Sequence, residues 1–151
     1  MRGEDRARAV LAYAWASPTT LLGLLLGLLA LPGGRWRRVE GVLEASGGWL
    51  ARLLRLVPIG GGAAAMALGH VVLGQDEPAL AATRAHERVH VRQAERWGPF
   101  FVPAYLLLAG WLLLRRRHPY LEHPFEVEAR QPGERGTGSG ERAAPPHPGG
   151  G

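Results

Sequence analysis

The residues best placed to do chemistry are two histidines four apart with a glutamate beside the first: His86-Glu87-Arg88-Val89-His90. On a helix, positions i and i+4 lie one above the other on a single face, so both imidazoles can reach one Zn²⁺ at about 2.0–2.1 Å. Glu87 projects beside them as the general base of an amide hydrolysis, taking a proton from a zinc-bound water whose pKa the metal lowers towards about 7. The same face carries Ala82, Val89, Gln93 and Trp97, which makes it the apolar, inward side. Two buried imidazoles one turn apart need partners, and a metal serves both. The plainer alternative is a non-catalytic membrane protein in which a structural zinc, or a hydrogen-bonded histidine pair, only holds helices together.

A catalytic zinc takes three protein ligands and keeps a fourth position open. Downstream, His118, Glu122, His123, Glu126 and Glu128 are all candidates for the third, and spacing does not choose among them. Gln93 shares the histidine face and is a candidate partner for a ligand. Tyr120 is a candidate oxyanion donor. His70, on an expected strand, reads as a core or edge histidine.

The elements that must position these residues are legible in outline. Asp76-Glu77-Pro78 is a helix start, an acidic cap followed by proline in the first turn. The spacing predicts a helix from Glu77 to Trp97, stopped by Gly98-Pro99, and a second apolar helix from Pro99 to Leu114. Val39, Val42 and Leu43 around Gly41 suggest a short strand and turn, and Trp49 to Val57 an amphipathic helix. Ala63 to Leu73, with Gly69 in the middle, reads as one or two buried strands. Gln131 to Gly151, rich in Gly and Pro, is expected to be disordered.

Ala9 to Gly34 carries no charge and is long enough to cross a hydrocarbon core of about 30 Å as a helix, with Pro18 setting a kink or the true helix start. Arg2, Arg6 and Arg8 invite a signal-peptide reading, but Glu4 and Asp5 spoil its basic start and no small-x-small cleavage site follows, so a retained anchor is favoured. All 18 basic residues are arginine, and the formal charge is +5. Those arginines flank apolar segments (Arg35, Arg37 and Arg38; Arg115 to Arg117) instead of forming a patch interleaved with aromatics, which points to lipid headgroups and away from nucleic acid. The chain has no cysteine, so thiolate zinc sites are excluded.

His86-Glu87-Arg88-Val89-His90-Val91-Arg92-Gln93, then Trp97-Gly98-Pro99, then His123-Pro124-Phe125-Glu126-Val127-Glu128-Ala129 together resemble the gluzincin-type HExxH zinc metallopeptidases. In particular they are similar to a group of small, uncharacterised bacterial membrane proteins sharing the HExxHxxQ and PFExEA blocks and a Gly-His-Val-x-Leu-Gly stretch (69–74). The resemblance covers about residues 60–130. It implies Zn²⁺ held by His86, His90 and Glu126, with Glu87 as base and Glu128 in reserve; His123 is a further reserve candidate from its own chemistry. Two positions depart from the pattern: His123 stands where such proteins usually carry Asn, and Arg130 where an acid often orients a ligand histidine. A third ligand at Glu126 also requires that 99–114, only about 24 Å as a helix, fold back along the active-site helix or lie in the interface; two full spans with no such ligand is the competing topology.

The expectation is therefore an α+β, mainly helical protein: a transmembrane anchor at 9–34, a minimal gluzincin-like zinc domain at 35–130, and a disordered tail at 131–151. Its expected function is that of a metallopeptidase-like hydrolase of the cell membrane. It would act on a peptide or protein substrate near the surface, with membrane lipid as partner and no nucleic acid.

Overall fold

The computed structural model describes residues 3–58 and 61–137, with 132–137 described by backbone alone. Its helices are α1 (Gly3–Trp15), α2 (Ser17–Gly27, prolonged by a 3-10 turn Leu28–Ala30), α3 (Gly48–Arg55), α4 (Glu77–Trp97), α5 (Phe101–Leu114) and α6 (Pro124–Thr137). The strands β1 (Arg35–Val39), β2 (Val42–Ser46), β3 (Ala65–Leu68) and β4 (Val71–Gly74) form one sheet in the order β1-β2-β4-β3. The outer pairs are antiparallel hairpins and the central β2–β4 pair is parallel. The fold is α+β and mainly helical.

Strand alternation sorts side chains between two cores. Ala45, Leu68, Val71 and Leu73 face one side, against Leu24 of α2 and Leu50 and Leu54 of α3. Val42, Ala67 and Val72 face the other, against Leu80 and Val91 of α4. The sheet is thus sandwiched between α2–α3 and the helix bearing the His-Glu-x-x-His motif. The turn between β3 and β4 needs glycine at Gly69, which has φ 61° and sits so close to α2 that a Cβ would meet Thr20 Oγ1 at 2.2 Å. Thr20 Oγ1 in return accepts the His70 N–H.

Glu44 shares the α4 side of β2 and is buried to 2% side-chain exposure between Arg84 of α4 and Arg37 of β1, at 2.9 and 3.3 Å. Burial raises its carboxyl pKa, but the hydrogen bonds and charge of Arg84 and Arg37 outweigh that and hold it below the usual carboxylate value. A depressed folded-state pKa contributes stability that is complete above the unfolded value of about 4.3 and is lost as pH falls through the folded one. Glu44→Gln is expected to cost about 1–3 kcal/mol at neutral pH, with the gap to the wild type closing in unfolding titrations below roughly pH 4. An equal gap at both ends of the range would refute this electrostatic role.

Two sequence expectations need correction. The segment from Ala9 to Leu31 is not one lipid-facing helix: α1 and the α2 segment meet at Ala16 with a bend of 62°. Pro18 has no N–H for the Ala14 carbonyl, which takes the Ser17 hydroxyl at 2.7 Å, while Thr19 and Thr20 hydroxyls both bond the Ala16 carbonyl at 2.9 Å. Beyond the bend α2 lies on the sheet along a buried stripe of Thr19, Gly23 and Gly27. A Cβ at Gly23 would meet Val71, and one at Gly27 would meet Trp36. Only its outer face, with Leu21, Leu22, Leu25, Leu28 and Leu29, is exposed.

The segment 99–114 leaves the line of α4. By length and composition the helical run Glu77–Leu114, 38 residues, is enough to cross a membrane. It is an elbow rather than a rod. On a straight helix His90 and Tyr105 would stand about 22 Å apart, yet their rings are 6.5 Å apart and those of His90 and Phe101 6.3 Å. The turn is made at Gly98, φ 56° and ψ −132°, a conformation open to glycine. Residues 115–123 then return along α5 to deliver α6, so that Ala94, Phe101 and Phe125 close a small core between α4, α5 and α6. The second correction is that α6 continues through Thr137, so 131–137 are helical. Residues 138–151 lie outside the described part.

Candidate metal centre

α4 begins where its cap dictates, the Asp76 side chain accepting the Ala79 N–H at 2.7 Å. From there its face towards α6 carries His86, His90 and Gln93. α6 starts at Pro124, with His123 as its N-cap: Nδ1 accepts the Phe125 N–H at 3.3 Å, the service an Asn oxygen performs at helix starts. Two residues later Glu126 points back at α4.

His86 Nε2 lies 3.1 Å from Glu126 Oε2, His90 Nε2 3.3 Å from Glu126 Oε1, and the two Nε2 atoms 3.1 Å apart. One ligand atom from each residue falls within 4.8 Å of the others, close enough to share a metal ion. The polarity of the histidine ring is set from behind. Gln93, 0% exposed, donates both amide hydrogens, to the Phe125 carbonyl at 3.1 Å and to Glu128 Oε2 at 2.9 Å. Its oxygen must therefore face His90 Nδ1, at 2.8 Å, and accept a proton from it. In the neutral form that a metal ligand takes, His90 then has its Nε2 lone pair aimed at the centre. Glu128 is held in turn by Arg96 at 3.2 Å.

The donor set fits a divalent transition metal: two imidazoles and a carboxylate suit zinc, whereas Ca²⁺ and Mg²⁺ favour oxygen shells. Glu87 Oε2 is buried with no hydrogen-bond partner, and the buried Glu126 Oε2 faces only a histidine ring nitrogen. Such atoms are costly unless a cation or a proton meets them. Burial pushes the Glu126 carboxyl up, but hydrogen bonds from His86, His90 and Tyr105 prevail and hold it well below the usual range, so it is an anion ready for a cation. His86 is the open side, with 22% of its side chain exposed against 8% for His90 and 5% for Glu126.

The structure separates the sequence candidates. His86, His90 and Glu126 converge, with Glu87 beside them on α4. His123 is not in reach as a ligand, because both ring nitrogens are committed to backbone, Nδ1 as above and Nε2 donating to the Tyr105 carbonyl at 2.9 Å. Glu128 supports Gln93 instead of ligating, which fills the orienting role left open by Arg130; that arginine bonds the Leu121 carbonyl and covers the Tyr120 ring. Hydrogen bonds from Gln93 and the charge of Arg96 lower the Glu128 pKa. His118 accepts the Tyr120 and Leu121 N–H groups in a surface turn, and Glu122 pairs with Arg117. His70 bonds Glu95 at 2.8 Å and stacks on Tyr13, away from the centre. Tyr120 lies near enough that, after burial, the Glu126 charge raises its phenol.

The sequence reading missed Tyr105. Its hydroxyl donates to Glu126 Oε1 at 2.6 Å. The available signal was a lone phenol in an otherwise apolar helix, which needs a partner when buried. No family model, curated protein or solved structure matches this chain.

Proposed function

We propose that the chain is a membrane-attached, zinc-dependent peptidase, with His86, His90 and Glu126 as ligands and Glu87 as general base. The observation that carries this reading is the convergence of the three ligands beside a buried glutamate whose Oε2 has no partner. Zinc bound here would supply an activated water and polarise the scissile carbonyl. Glu87, one residue after His86 on α4, would hold that water's proton and pass it to the leaving amine. A purely structural zinc wants four ligands, and among the described residues the cluster offers three, on a side left open at His86.

Substrate access has a matching feature. The Gln75 N–H bonds the Ala64 carbonyl, so the antiparallel alternation turns the backbone groups of Ala65 and Ala67 away from β4, to the free edge of the sheet. The Ala67 N–H lies against Glu87. An extended peptide added to that edge would run past the base.

Attachment to lipid rests on exposed apolar side chains that water does not favour: Leu11, Leu25 and Leu107 are 67%, 65% and 74% exposed. Trp15 packs near Phe100, joining the N-terminal helices to the start of α5. Arg115 covers Trp111 at the far end, an interfacial pairing. The expected result is a protein recovered from membranes only with detergent, carrying one zinc per chain. Glu126→Gln should weaken zinc at least as much as the roughly 10–100-fold typical of an outer-shell change. A soluble, zinc-free wild type would sink both halves of the proposal, and zinc retained at full affinity by the variant would remove Glu126 from the ligand set.

A further inference from the structure

Tyr105 touches Glu126 in a way that bears on how the carboxylate meets a metal. Its hydroxyl donates to Oε1 at 2.6 Å, an oxygen that also lies 3.3 Å from His90 Nε2, while Oε2 faces His86 Nε2 at 3.1 Å. The phenol thus engages one carboxylate oxygen and leaves the other to the histidine side. The phenol cannot easily leave, because its ring stacks on His123 with centroids 4.0 Å apart and planes at 21°. His123 also ties the Tyr105 carbonyl to the start of α6 through Nε2. Tyr105 and Glu126 are therefore positioned by the same fully buried histidine.

We infer that Tyr105 is a positioning residue that restricts Glu126 to one ligand atom, Oε2, and so keeps a coordination position free. The inference rests on the zinc reading above. A carboxylate bound through both oxygens would fill the position that a hydrolytic zinc keeps for water. With the phenol in place, Oε1 shares its electron density with a short, charge-assisted hydrogen bond in a buried setting, which makes it the weaker of the two donors to a metal.

The test uses the full chain loaded with Co²⁺ in place of Zn²⁺, and Tyr105→Phe, which keeps the ring stack on His123. The wild type should give the strong visible bands of a four-coordinate site and bind acetohydroxamate, a small metal-seeking probe, at the free position. In Tyr105→Phe the second oxygen swings in: the bands weaken towards a five-coordinate spectrum and probe affinity falls by about 10–100-fold. Thermal unfolding of the metal-free variant should stay close to that of the wild type, since a merely structural tyrosine would move that and leave the spectrum alone. A loaded variant with wild-type bands and wild-type probe affinity overturns the clamp. A wild type that takes up no cobalt overturns the metal reading and the clamp with it.

Discussion

Glu87→Gln is expected to lower peptide turnover by about 10²–10⁴ while zinc stays bound. The carboxamide keeps size and polarity but cannot accept the water's proton. That range corresponds to about 3–5.5 kcal/mol of barrier. Glu87 is outside the ligand group, so metal content should be unchanged. Stability should hold or rise, because a buried carboxylate with an orphaned oxygen is replaced by a neutral group that also donates. Cleavage of a broad peptide library, measured beside metal content, checks both halves. Equal turnover in variant and wild type, with unfolding on His86→Ala, would leave a structural zinc and no enzyme.

Gly98→Ala should be the most damaging small substitution outside the ligands. The residue sits at φ 56° and ψ −132°, where a Cβ is strained by about 1–3 kcal/mol. Its Cβ would also fall 2.3 Å from Trp15 Nε1. Relief means reopening the elbow, and that withdraws Phe101 and Tyr105 from His90 and Glu126. The expected outcome is a loss of about 2–4 kcal/mol in unfolding free energy, accompanied by weaker zinc binding. Loss of stability with unchanged zinc affinity would show that the elbow does not position the site.

What was legible in the sequence followed local chemistry. α4 was bounded correctly at both ends because Asp76, Pro78 and Gly98 each act on their own neighbourhood. The strands around Gly41 and Gly69 were visible for the same reason. The N-terminal segment was misread because a Leu-rich face suits lipid and sheet equally. The distinguishing mark was the Thr19, Gly23, Gly27 stripe, whose small side chains permit contact with Leu68 and Trp36. Among the carboxylates, spacing could not tell Glu126 from Glu128, since both leave α6 within one turn. Packing decided it, as Gln93 and Arg96 claim Glu128. His123 was mistaken for a reserve ligand because its role as a helix cap depends on backbone direction, which no residue spacing records.

The elbow and the returning segment after α5 also order events in time. His86 and His90 leave the ribosome well before Glu126, with all of α5 between them. Until α6 has emerged and swung back, the growing chain offers only a two-histidine site. Ribosomes deliver domains from the N-terminus onward, so the completed three-ligand centre belongs to the last stage of biosynthesis. On the proposed reading, a hydrolytic site that matures only after its own apolar helix has been delivered stays inert while the nascent chain, itself an extended polypeptide, is still passing by.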